Sequence, residues 1–177
     1  MAGPRRNIDQ LQRFALLSDL SLGTIDLGRI VSASAGLLRL TIPPSVNLQV
    51  AIAPGLEPVR ADEMAAHQIL ISVIRGSAGA VGPGGTLRVS LELVDVPARS
   101  SNPELREGRY LCLGVQALGA RRAPGGIPWG FDLEAVTSIL RHHGGGVLTD
   151  ERPDGARMIR CLFPVHSSPS GSSPSVA

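Results

Sequence analysis

The sequence predicts an α+β fold: a two-layer α/β sandwich whose mixed, mostly antiparallel sheet of about five strands carries its helices on one face. Three observations predict it. Amphipathic helical stretches and alternating strands follow one another along the chain. Several strands are joined by short polar or Gly/Pro turns, which suit hairpins and not helical crossovers. The core must also be aliphatic, because hydrophobic residues make up 43% of the 177 but aromatic residues only 3%.

The elements run as follows. Residues 8–20, IDQLQRFALLSDL, place Ile8, Leu11 and Ala15, with Phe14 and Leu17, at helical spacing. SLGT is a break. Asp26 can cap a second helix, DLGRIVSASAGLLRL, with Leu27, Ile30, Val31, Ser34, Leu37 and Leu38 on one face. TIPPS ends it, since proline cannot continue a helix. VNLQVAI alternates Val46, Leu48, Val50 and Ile52 against polar or small residues, the pattern of a half-buried strand. APGLEP turns the chain, and VRA makes a short strand. Asp62 opens a third helix with the stripe Ile69, Leu70, Val73, Ile74, Ser77 and Val81, and GPGG stops it.

TLRVSLELV is a strand, DVPARSSNPELREG a polar hairpin loop, and RYLCLGVQAL the next strand. A Gly/Pro loop, GARRAPGGIPWG, occupies 119–130. The helix FDLEAVTSILRHH is closed by glycines 144–146. GVLTDE and ARMIRCLFPV flank the turn RPDG. The last residues, HSSPSGSSPSVA, have a disordered composition. The expected organisation is an N-terminal helix (1–24), one domain (25–165) and a tail (166–177).

Composition excludes several functions. The net charge is +2, all 17 basic residues are Arg, and no basic run exceeds two neighbours. This balance predicts no nucleic-acid partner and no anionic membrane. Few aromatics leave no stacking platform for single strands. Cys112 and Cys161 lack CxxC spacing and read as buried free thiols. No signal-peptide pattern and no run of about 18 apolar residues is present, so a soluble cytoplasmic protein is expected. His67 reads as an ordinary helix residue, and His142-His143 as a cap that suits the helix dipole. His166 falls in the tail. No His/Cys/Asp set has metal-ligand spacing. Ser138 and Asp132 near His142 match no nucleophile geometry. GPGG follows a helix and precedes a strand, the reverse of a phosphate loop.

Taken in order, these pieces resemble the ATP-binding domain of sensor histidine kinases, the Bergerat-type fold. The resemblance covers about residues 8 to 165. IDLGRIVSASAGLLRL looks like the segment leading into that domain. VNLQVAIAPGLEPVRAD looks like its first hairpin and the Asp that opens the main helix. HQILISVIRGSAGAVGPGGTLRVSLEL looks like the helix with the metal-binding Asn and the second hairpin. YLCLGVQALGA looks like the strand ending in the Asp-x-Gly-x-Gly adenine box. WGFDLEAVTSILRHHGGGV looks like the second Gly box, the next helix and the frequent His-Gly-Gly. RPDGARMIRCLFPV looks like the closing hairpin. The N-terminal helix resembles the end of the dimerisation hairpin.

The resemblance also implies what is missing. Gly76 holds the place of the Asn that binds Mg²⁺, and glycine offers no oxygen to a hard cation. Ala117 holds the place of the Asp that accepts from the adenine amino group. Gly119 survives, but Arg121 replaces the second Gly of the box. Gly130 survives in the second Gly box, and Asp132 replaces the next glycine, where a carboxylate repels phosphate. From Ala117 to Gly130 is 13 positions, about half of what the family uses for its lid. The N-terminal helix has no histidine to accept a phosphoryl group.

The resulting expectation is a degenerate domain without cofactor or metal, a pseudokinase-like adaptor or regulator in two-component phosphorelay signalling. Its expected partner is a response regulator or a histidine kinase, and its N-terminal helix either packs back on the domain or forms a homodimer. Two alternatives stand beside it. One is an ATP-binding histidine kinase or ATPase, with ATP and Mg²⁺ held by atypical contacts. The other is a histidine phosphotransfer protein.

Overall fold

The structure is a computed structural model that describes residues 22–98, 105–120, 132–151 and 156–165. The expected N-terminal helix and the tail lie outside these residues. The elements are β1 (Gly23–Ile25), α1 (Leu27–Thr41), β2 (Asn47–Ile52), β3 (Val59–Ala61), α2 (Glu63–Ala78), β4 (Val81–Val96), β5 (Gly108–Ala120), α3 (Leu133–His142), β6 (Gly146–Glu151) and β7 (Arg157–Pro164).

Each helix opens on an aspartate whose carboxylate accepts a backbone N–H three residues on. The distances are 2.9 Å from Asp26 to Arg29, 2.8 Å from Asp62 to Ala65 and 3.0 Å from Asp132 to Ala135. Such caps satisfy N–H groups that the first turn leaves without a partner.

Five strands form one sheet in the order β2-β4-β5-β7-β6, and β1 pairs with β3 in a second, two-stranded sheet. β4–β5, β5–β7 and β6–β7 are antiparallel, while β2 runs parallel to β4. The sheet is therefore mixed and mostly antiparallel, as expected. One core joins its helix-side residues (Leu87, Val89, Leu113, Val115, Ile159, Phe163) to the buried stripes of all three helices. A smaller cluster on the other face gathers Val96, Leu105, Tyr110, Cys112 and Leu162.

Several local expectations are corrected. The break at SLGT contains the start of β1, which pairs with the short strand β3. β2 and β3 form no hairpin, because each pairs with another strand. Leu37 lies off the buried face of α1 and is exposed, unlike Leu27, Ile30, Val31, Ser34 and Leu38. Along β2 only Leu48 is partly covered. Val46, just before the strand, is buried, but Val50 and Ile52 are exposed, since no described strand lies beyond β2. The main helix ends at Ala78, before GPGG. GPGG lies within β4, where the pairing register shifts between Val81 and Thr86, and Gly84 takes the left-handed conformation at φ +78°.

Candidate functional site

Four of the positions singled out by sequence, Gly76, Ala117, Gly119 and Asp132, lie toward one end of the sheet. The C-terminal turn of α2 leads directly into β4. The beginning of β4 lies beside the end of β5, with Leu87 opposite Ala117, and the end of β5 lies beside the beginning of β7, with Ala117 opposite Arg157. α3 runs back over β6 and β7 and starts at this same end.

Gly76 is buried on α2. Ala117 is wholly buried and belongs to the core face of β5. Gly119 takes φ +72°, a conformation that costs an L side chain about 1–2 kcal/mol. A Cβ there would also stand 3.3 Å from the Cα of Gly85. A left-handed turn at Gly119 thus follows two residues after the buried methyl of Ala117. Asp132 is the N-cap of α3, so its carboxylate is engaged by the Ala135 N–H. Arg121 and Gly130 lie outside the described residues.

Two further residues belong to this end of the fold. Arg157 is 8% exposed and sits directly across from Ala117. Antiparallel partners share a face and hold their Cβ atoms about 5 Å apart, so a guanidinium stem stands beside the Ala117 methyl. Ser77 follows Gly76 on α2, and its hydroxyl is buried with no hydrogen-bond partner among the described residues. Sequence reasoning placed Ser77 on the buried stripe but missed Arg157. The signal available was the register of the closing strands, which a single sequence does not display.

The opposite end of the sheet holds an open cleft of about 830 Å³, lined in part by Arg106, Arg109, Tyr110, Arg141 and His142. Arg109 is already paired there, with Glu57 at 2.7 Å and Asp95 at 3.5 Å. His143 caps α3 from inside the fold, with Nδ1 2.7 Å from the Ile139 carbonyl. Among the described residues no three His, Cys, Asp or Glu side chains gather to hold a metal ion, and no helix is long and apolar enough to cross a membrane.

Both cysteines are buried free thiols. Burial pushes the Cys112 thiol up to about 11, against a smaller opposing pull from Arg160. Burial also pushes Cys161 up, with Cys112 nearby adding to it. Since the thiolate is the reactive form, neither should be alkylated by iodoacetamide at pH 8 in the folded chain, and both should react in denaturant. Mass spectrometry of the treated protein checks this, and modification of either thiol before unfolding would contradict it.

No protein-family model and no curated protein matches the sequence. Solved structures do match. A mycobacterial sensor histidine kinase, MprB, aligns with TM-score 0.63 and 16% identity over 84% of this chain and 100% of its own. The cytoplasmic segment of the histidine kinase QseC aligns with TM-score 0.58 and 14% identity, over 91% of this chain and 92% of its own. The catalytic domain of the histidine kinase ThkA aligns with TM-score 0.56 and 14% identity, over 82% and 97%. At such identities the likeness is one of architecture, and the chain has the fold of the histidine kinase ATP-binding domain, the Bergerat-type sandwich.

Proposed function

We propose that this chain is a non-catalytic adaptor or regulator in two-component phosphorelay signalling, a histidine-kinase-type domain that has lost ATP. The observation that carries the reading is Ala117, a fully buried methyl where the resembled family presents the acceptor for the adenine amino group. Gly76 adds to it by offering no oxygen to Mg²⁺. Asp132 adds a carboxylate, committed to capping α3, where phosphates would approach. A response regulator or a histidine kinase is the partner class that the fold suggests.

The rival reading is an ATP-binding kinase or ATPase with atypical contacts. It is favoured by Gly119, which keeps the left-handed turn of the adenine box. A phosphotransfer role would need an acceptor histidine on a helical hairpin. Among the described residues His67 lies on α2, and His142 and His143 close α3.

Calorimetric titration of the full chain with Mg-ATP separates the first two readings. A hydrogen bond left unmade costs about 1–3 kcal/mol, lost metal bridging costs several more, and micromolar to sub-millimolar binding holds only about 5–8 kcal/mol. The expected result is no binding tighter than about millimolar and no ATP hydrolysis. The double variant Gly76→Asn, Ala117→Asp is expected to stay inactive, because the 13 positions from Ala117 to Gly130 remain short for a lid. Micromolar affinity in the unmodified chain would establish the rival.

A further inference from the structure

The five-stranded sheet ends in β2 on one side and β6 on the other. An edge strand offers unpaired N–H and C=O groups to any other strand, and charges or prolines normally protect it. β6 has such protection, since it ends in Asp150-Glu151. β2 has none. Residues 46–53, VNLQVAIA, contain no charge and no proline, and Val50 and Ile52 stand 38% and 37% exposed.

The direction of the free hydrogen-bonding groups follows from the register. Ile52 lies beside Leu91, and the Ala53 N–H donates to the Leu91 carbonyl at 2.9 Å. In a parallel ladder a bonded residue turns both its N–H and its C=O toward the neighbour, and the residues on either side turn theirs away. Asn47, Gln49, Ala51 and Ala53 therefore bond β4, while Leu48, Val50 and Ile52 present their backbone groups to the edge that no described strand pairs with. Their side chains share one face, the helix-side face on which Leu48 packs against the core.

We propose that β2 pairs antiparallel with β2 of a second copy of this chain, about a two-fold axis through Val50. Val50 then faces its own copy, and Leu48 faces Ile52 in both directions. Every outward N–H and C=O of the three residues is satisfied, and each side chain meets an apolar one on the same face. A slip of one residue sets Leu48 opposite Ala51 and faces bonding groups with non-bonding ones. Moving the axis to Gln49 sets Ile52 opposite Val46. The backbone of Val46 is already engaged, its N–H with the Pro43 carbonyl at 3.0 Å and its carbonyl with Arg39 Nη1 at 2.9 Å. Of the three registers, the Val50 axis leaves no free group unmatched. It creates an isologous contact, which closes as a dimer. The inference does not rest on the nucleotide reading.

Sedimentation equilibrium of the full chain and of Val50→Pro tests it. Because the Val50 N–H takes no part in the chain's own ladder, proline there spares the β2–β4 bonds. The parent is expected to dimerise, and Val50→Pro to dissociate at least about a hundredfold more readily with an unchanged circular dichroism spectrum. Val50→Lys serves the same purpose if the proline variant does not fold. As a positive arm, Val50→Cys is expected to form a covalent dimer with a short bismaleimide, while Thr149→Cys on β6 does not. A parent that stays monomeric, a dimer indifferent to both Val50 substitutions, or equal cross-linking from β2 and β6 overturns the proposal. Indifference of the dimer would instead point to residues 1–21 as the contact.

Discussion

Gly145→Ala is expected to destabilise the domain severely. Gly145 joins the end of α3 to β6, and a Cβ there would overlap the Leu162 carbonyl oxygen and crowd its carbon at 3.1 Å. That carbonyl belongs to β7, whose Leu162 is paired with both Gly146 and Cys112. Relief therefore requires moving β6 away from β7, which sacrifices ladder bonds and the α3 packing above them. The Gly145 N–H also donates to the Leu140 carbonyl at 2.8 Å, so the turn has no slack. A cost of about 4 kcal/mol or more is expected, in the exceptional tail of single substitutions. Gly144→Ala is a suitable comparison. Its φ of +73° costs an alanine about 1–2 kcal/mol, with no backbone contact in the way. Urea titrations followed by circular dichroism should rank the two clearly. Equal midpoints would mean that the β6–β7 connection is softer than the geometry indicates.

Phe163→Ala is expected to cost about 3–5 kcal/mol, the range for a fully buried aromatic side chain. Phe163 is 1% exposed in the main core, opposite Leu111, and is one of only three phenylalanines in the chain. The surrounding core is aliphatic and close-packed, so it can collapse only partly into the space vacated. Against a typical domain stability of about 5–15 kcal/mol, this is a large share. Leu40→Ala is the control. Leu40 is 83% exposed, and its removal should stay within about 0.5 kcal/mol. A comparable loss at both positions would show that the β7 core position is not what holds the sheet together.

The sequence read most clearly where burial is periodic. The stripe Ile69, Leu70, Val73, Ile74 and Ser77 is buried as its spacing indicates, because α2 packs against β4, β5 and α1. Asp26 and Asp62 were equally legible as helix openers, since an N-cap is a local matter, whereas Asp132, read only as the replacement of a glycine, is a third cap. β2 was not. Its alternation is real, but burial depends on what lies beyond a strand, and β2 turns out to be an edge. β1 was invisible because its partner β3 lies beyond a whole helix in sequence. The same holds for the site. Gly76, Ala117 and Asp132 could be placed by register against a resembled family. The approach of Arg157 to Ala117 depends on the pairing of β5 with β7, which no local pattern encodes.

The place of β5 in the sheet has a consequence for how the chain is made. β5 carries Ala117 and Gly119, and it lies between β4, which precedes it, and β7, which follows it. A ribosome that has delivered residues 22–120 has supplied everything for the β4–β5 hairpin, yet one side of β5 is still an apolar edge of Leu111, Leu113 and Val115. That edge waits through α3 and β6 until 157–164 emerge. At about 5–20 residues per second, the wait lasts seconds. During it the nascent chain shows another strand its longest unprotected template. β5 is therefore completed only when β7 arrives, first at the Ala117 end, where Arg157 pairs, and last at Tyr110, where Pro164 pairs, and a chain cut short before β7 keeps the hairpin with that edge uncovered.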